Sequence, residues 1–229
     1  MTLQRLTDVR ACVFDAYGTL FDLTAAARAC ADVLGPKAAP LAALWRDKQL
    51  QYTWLLATQG RYLDFAEVTG GALDFALESL AIEAPGLRDR LMKLYFALDA
   101  FPEARDALGL LKSAGLRLAI LSNGTPAMLA AAVANARLDD VFEAVLSVDA
   151  VGVYKPHPKV YQMALDRLDL PASAIAFISS NGWDAYAASA FGMRVVWCNR
   201  AGQPPERLPG APDRQVASLA TLPDLVGAD

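Results

Sequence analysis

The stretch Ala11-Cys12-Val13-Phe14-Asp15-Ala16-Tyr17-Gly18-Thr19-Leu20-Phe21-Asp22 decides how the chain is read. Four apolar or small residues run straight into a carboxylate, which is followed by a glycine and a hydroxyl residue. That is the pattern of a buried strand ending in a tight loop. In an open α/β sheet a side chain at this place faces the crevice beyond the carboxyl ends of the strands, where ligands bind. Aspartate also fixes turns for purely local reasons, so the role of Asp15 has to be decided by the rest of the chain.

Working outward, 229 residues suffice for one large domain or a domain carrying a smaller insert. A hydrophobic content of 55% against 20% charged supports a full core and argues against extended disorder. The net charge is only −4 and the basic residues are scattered, which argues against nucleic acid as a partner. No apolar run reaches the length of a membrane span, and Met1 to Asp8 lack the apolar segment of a signal peptide, so a cytoplasmic protein is expected. Cys12, Cys30 and Cys198 have no metal-like spacing, and the only histidine is His157. Chemistry that needs several imidazoles or a zinc cage is therefore excluded.

From about Asp22 to Leu98 the periodicity is helical. Pro40 can open a helix on which Leu41, Leu44, Trp45, Leu55 and Leu56 are apolar and Arg46 and Lys48 ride along. Asp64-Phe65-Ala66-Glu67 reads as a capping box in front of a face built from Phe65, Val68, Ala72, Leu73, Ala76, Leu77 and Leu80. Leu87, Leu91, Leu94 and Leu98 mark a further helix. After Phe101 short apolar strands alternate with helices: strands over 118–121, 144–146, 176–178 and 194–198, with helices opened by Pro102-Glu103, Pro126 and Trp183-Asp184. Lys155 stands before Pro156 and is predicted in a loop, because a helical residue before proline is strained. Beyond Asn199 a Pro-rich loop and a short tail are expected. The alternation predicts an α/β protein with a Rossmann-like parallel sheet, formed by residues 1–21 and 99–229, and an inserted all-helical cap over 22–98.

Three strands then deliver polar side chains at one end of that sheet: Asp15, Ser122 with Asn123, and Ser179 to Asn181. Local capping accounts for each serine or asparagine singly. It does not account for the carboxylate, the pre-proline lysine and a second aspartate, Asp184, that accompany them.

These residues resemble the four motifs of the haloacid dehalogenase superfamily: Asp15 to Asp22, Ser122-Asn123-Gly124, Lys155-Pro156 and the Asp184 helix start. D-A-Y-G-T-L-F-D from Asp15, K-Q-L-Q-Y-T-W-L from Lys48, L-S-N-G from Leu121, Y-K-P from Tyr154, V-Y at Val160-Tyr161 and S-S-N-G-W-D from Ser179 look like its L-2-haloacid dehalogenase branch. The resemblance implies that Asp15 attacks the carbon bearing the halogen and that the resulting aspartyl ester is hydrolysed by water. It implies a Lys155–Asp184 ion pair beside the nucleophile, with Thr19, Ser179 and Asn181 as orienting residues and Tyr161 as a supporting hydroxyl. Ser122 and the amides near Ala16 and Tyr17 would hold the substrate carboxylate, and Arg46, Asn123 and Trp183 the departing halide. Tyr17, Leu50, Phe65 and Trp183 would wall out water.

Phosphatases of the superfamily carry an acid two residues after the nucleophile, where this chain has Tyr17, and metal-dependent members an acid four positions before the last aspartate, where it has Ser180. Halide is a weak base that needs no proton donor, and a hard cation wants several oxygen ligands, so no metal and no cofactor are expected. The expected ligands are a small 2-haloacid and halide, and the Lys48 to Leu55 surface is expected to pair two copies as a homodimer. A phosphatase or a non-catalytic member of the fold is the alternative. Asp47 and Ala187 depart from the branch pattern, and His157 is expected to be a plain loop residue.

Overall fold

The computed structural model describes residues 5–226. A parallel six-stranded sheet in the order β3-β2-β1-β4-β5-β6 forms its middle. The strands are β1 (Ala11–Phe14), β2 (Arg117–Ser122), β3 (Ala144–Ser147), β4 (Ile175–Ser179), β5 (Arg194–Cys198) and β6 (Arg214–Val216). β1 is buried along its whole length because β2 and β4 flank it on both sides and helices cover both faces, which is why it reads as an unbroken apolar run. Phe14 stands level with Ile120 on β2 and Ile178 on β4, so the residues just after these strands emerge together. The chain order runs outward from β1 in both directions, and the crevice between β1 and β4 is the switch point of the sheet.

Between β1 and the next core helix lie α1 (Ala25–Ala29), α2 (Ala31–Leu34), α3 (Ala38–Thr58), α4 (Phe65–Ser79) and α5 (Leu87–Phe96). α3 buries Leu41, Trp45, Gln49 and Thr53, a set four residues apart that packs on α4. The Asp64 capping box forms as expected: the Asp64 carboxylate accepts from the Glu67 amide at 2.9 Å and the Glu67 carboxylate accepts from the Asp64 amide at 3.2 Å. Pro40 sits in the first turn of α3, where its missing N–H costs nothing. Leu55, expected among the apolar positions of this helix, is 48% exposed, because it stands two residues past Thr53 and off the buried stripe.

The core continues with α6 (Ala104–Ser113), α7 (Pro126–Asn135), α8 (Pro158–Leu168), α9 (Gly182–Phe191) and α10 (Leu222–Leu225). The Pro-rich segment beyond Asn199 is a loop, and the short tail after it carries a strand and a helix. β6 adds an edge strand beside β5, and α10 is tied to the start of the chain by the Leu6 amide donating to the Leu225 carbonyl at 2.8 Å. With three residues, of which only Val216 is buried, β6 has too little apolar pattern to be read locally. His157 caps α8, its Nδ1 accepting from the Lys159 amide at 3.2 Å. No helix among the described residues is long and apolar enough to cross a membrane.

Candidate active site

The site is built at the carboxyl ends of β1, β2 and β4. Asp15 follows β1 immediately and its amide donates to the Ile178 carbonyl at 2.9 Å. The loop then folds back on itself: the Gly18 amide donates to the Phe21 carbonyl at 2.8 Å with φ at +86°, a left-handed backbone that only glycine adopts without strain. This return places the Thr19 hydroxyl 3.1 Å from Asp15 Oδ2, to which it donates, and the same hydroxyl accepts the Ser180 amide at 2.8 Å. β1 and β4 are thus locked together through the side chain of Thr19.

After β4 the Ser179 hydroxyl accepts the Asn181 amide at 3.1 Å and turns the chain into α9. Asn181 Nδ2 donates to Asp15 Oδ2 at 2.8 Å and to the Tyr17 carbonyl at 3.3 Å. Asp184, in the first turn of α9, is fully buried. Lys155 reaches in from the loop before α8, its side chain 1% exposed, and donates to Asp15 Oδ1 at 3.2 Å and Asp184 Oδ2 at 2.8 Å. Its amide donates to Asn123 Oδ1 at 3.1 Å, so the end of β2 holds the lysine in place. Tyr161 on α8 donates to Asp184 Oδ1 at 2.7 Å.

Burial alone would lower the pKa of the Lys155 ammonium, but Asp15 and Asp184 more than offset it and hold the group above its ordinary value. Burial, with the charge of Asp15 adding to it, pushes the Asp184 carboxyl up against the pull of Lys155. Burial raises Tyr17 and Tyr161 well above the usual phenol range, in Tyr161 together with the charge of Asp184.

Arg46 comes from α3 and joins the helical segment to the sheet: Nη2 donates to Asn181 Oδ1 at 3.2 Å and Nη1 to Gln49 Oε1 at 2.8 Å. Tyr17 packs its ring on Tyr95 and Phe65, with centroids 5.5 and 5.8 Å apart, so the position after Ala16 is buried among aromatic rings. Ser122, at the end of β2, is buried and its hydroxyl accepts the Gly124 amide at 3.1 Å. Trp183 packs edge-on against Trp54 and lines a cavity of about 900 Å³ with Tyr161, Pro156 and Ala187; its indole Nε1 is buried without a partner among the described residues. Leu50 instead lines a separate concavity with Asp47, Lys48, Gln51 and Trp54. Among the described residues no three His, Cys, Asp or Glu side chains gather as a cation cage would require.

The tertiary structure adds residues that sequence reading passed over. Gln49 is buried and donates to the Thr69 hydroxyl at 2.7 Å and to the Tyr95 hydroxyl at 3.0 Å while accepting from Arg46. A polar residue at the four-residue spacing of the buried stripe of α3 was the available signal. Gly124 faces Tyr17 so closely that an added Cβ would lie 2.7 Å from its Cε2.

A carboxylate fixed by three donors at the switch point of a parallel sheet, one of them a buried ammonium shared with a second carboxylate, is the arrangement of a hydrolytic enzyme's active site. The chain belongs to the haloacid dehalogenase-like hydrolases, whose family model matches residues 9–192. Within that family it groups with the L-2-haloacid dehalogenases. It is 46% identical to (S)-2-haloacid dehalogenase 1 of Pseudomonas sp. strain CBS-3, over 95% of this chain and 96% of that one. The solved structure of a dehalogenase with an intermediate complex superposes with a TM-score of 0.95 at 44% identity, covering 97% of this chain and 99% of that one. The L-2-haloacid dehalogenase from Xanthobacter autotrophicus with chloropropionic acid covalently bound superposes with a TM-score of 0.88 at 38% identity, covering 95% and 98%.

Proposed function

We propose that this protein hydrolyses short L-2-haloalkanoic acids to D-2-hydroxy acids through an ester on Asp15, without a metal. An Asp15 oxygen attacks C2 from the side opposite the halogen; the new C–O bond forms as the C–X bond breaks, and halide leaves with the bonding pair. Water then attacks the Asp15 carboxyl carbon and gives up a proton toward Asp184. The bond from that carbon to the substrate oxygen breaks, the departing oxygen takes up the remaining proton of that water to give the 2-hydroxy acid, Asp15 returns as a carboxylate, and the proton on Asp184 passes to solvent. The C–O bond made first stays in the product, so the configuration at C2 is inverted.

The observation that carries this reading is the set of donors on Asp15. Lys155, Thr19 and Asn181 hold its carboxylate in one orientation, while Tyr17, packed against Phe65 and Tyr95, stands where leaving-group protonation would need an acid. In this reading Ser122 and the amides of Ala16 and Tyr17 hold the substrate carboxylate. Arg46, Asn123 and Trp183 receive the halide, and the Trp183 N–H, buried without a partner among the described residues, supplies a donor for it. Tyr161 and Ser179 steady Asp184 and Asn181, and Leu50 contributes to the apolar wall once substrate is bound. Metal independence is supported by the Lys155 ammonium lying between the two carboxylates, where a cation would otherwise sit, and by Ser180 in place of an acid.

Residues 22–98 act as a cap over the 1–21 and 99–229 core. Trp54, Leu55 and Phe75, each more than a third exposed, support pairing of two copies through the Lys48 to Leu55 region, in a cytoplasmic homodimer. The test is halide release from L- and D-2-chloropropionate with chelator and with added magnesium, alongside phosphate release from a phosphomonoester. Chelator-insensitive release from the L isomer alone, lost in Asp15→Asn, is expected. Magnesium-dependent phosphate release alone would replace this reading with a phosphatase.

A further inference from the structure

The segments that connect the sheet to the inserted helices run side by side. The Asp22 amide donates to the Asp99 carbonyl at 3.0 Å, the Phe101 amide to the Leu20 carbonyl at 2.9 Å, and Phe21 bridges Ala100. Arg200, just beyond β5, sits across both segments. Its Nη2 donates to the Thr19 carbonyl at 3.0 Å, and its guanidinium carbon lies 3.7 Å from the centroid of the Phe101 ring. Nη1 donates to Glu103 Oε1 at 2.6 Å, and the Ser218 hydroxyl donates to the same oxygen at 3.0 Å. The arginine is held from three directions, with both members of the Arg200–Glu103 pair only about a fifth exposed.

The bond to Thr19 gives this cluster a consequence for chemistry. The same residue whose carbonyl Arg200 grips offers its hydroxyl to Asp15 Oδ2 and accepts the Ser180 amide. A planar guanidinium can serve a carbonyl, a carboxylate and an aromatic face at once, which a lysine cannot reproduce in full. We propose that Arg200 is a positioning residue for the reaction: it fixes the Thr19 backbone between the two connecting segments, and through the Thr19 hydroxyl it sets the orientation of Asp15. The proposal rests on Asp15 being the attacking group.

The experiment measures kcat and KM for halide release from L-2-chloropropionate in the wild type, Arg200→Ala, Arg200→Lys, Thr19→Val and the Arg200→Ala/Thr19→Val double variant. Rates are expressed per folded molecule, with the folded fraction taken from circular dichroism. Arg200→Ala is expected to lower kcat about tenfold with KM nearly unchanged, below the roughly hundredfold that a 1 Å misplacement can cause. Arg200→Lys is expected to recover most of that loss, because an ammonium can still donate to the Thr19 carbonyl. In the Thr19→Val background the Arg200→Ala change is expected to alter kcat less than about twofold, the signature of two residues acting on one path. An unchanged kcat per folded molecule, or losses that simply multiply in the double variant, would overturn the proposal while leaving the Asp15 reading intact. Absence of halide release by the wild type would sink both.

Discussion

Replacing Lys155 with methionine removes the cation that holds two buried carboxylates together. At 2.8 and 3.2 Å, and at an effective dielectric near 20, the two ion pairs carry gross attractions of about 6 and about 5 kcal/mol. Desolvation of the three groups consumes most of this, and removing one partner of a buried pair costs a net of roughly 3–5 kcal/mol. Left without the ammonium, Asp15 and Asp184 face each other in a buried site, and one of them takes up a proton. The folded variant then binds a proton near neutral pH that the unfolded chain does not. Its stability should fall with rising pH by roughly 1.4 kcal/mol per unit over the range where that group titrates. In the wild type the slope has the same sign but lies far higher: Lys155 sits above its ordinary value of 10.5, so its contribution is intact below that pH and is lost as pH rises through the folded value. Urea unfolding of both proteins, followed by tryptophan fluorescence between about pH 5 and pH 8, should show a deficit that widens toward high pH. Halide release should drop about a hundredfold or more at neutral pH, since the Asp15 carboxylate loses the ammonium that fixes its orientation. A deficit below about 1 kcal/mol, or one that is the same at both ends of the range, would refute the reasoning.

Gln49→Leu strips partners from Arg46, Thr69 and Tyr95 together, so unfolding free energy should fall by about 1–3 kcal/mol and halide release should slow with Arg46 unsteadied; unaltered kinetics would show that Arg46 needs no such support. Gly124→Ala brings a methyl against the Tyr17 ring, and since Tyr17 is packed against Tyr95 and Phe65 it cannot yield freely. A loss of about 1–3 kcal/mol in a denaturation curve, with a raised KM for 2-chloropropionate, is expected. Asp64→Ala removes the cap of α4, a bond closed between Asp64 and Glu67, and should lower stability by about 0.5–2 kcal/mol with a much smaller effect on kcat.

The elements that carry chemistry were legible because each is a short pattern with one physical meaning. An apolar run ending in Asp15 reads as a buried strand, and the strands ending at Ser122 and Ser179 repeat the pattern, which is what set Asp15 apart from an aspartate that merely fixes a turn. The Asp64 capping box is likewise local, being closed entirely within four residues. Lys155 could be placed in a loop by Pro156 alone, and the family resemblance supplied its partners.

What the chain could not announce locally is whatever depends on distant segments meeting. β6 owes its existence to the edge of β5, not to its own three residues. Gln49 looks like any polar residue on a long helix until α4 and α5 bring Thr69 and Tyr95 to it, and Arg200 becomes relevant only because the end of β5 lies against the Thr19 loop. The sequence by itself determined the strand ends, the helical insert and the identity of the charged groups, since these follow from residue type and spacing of near neighbours. Only the tertiary structure decided which donors hold those groups and from what distance, because a hydrogen bond across up to 181 residues is set by the packing of the sheet and not by any pattern along the chain.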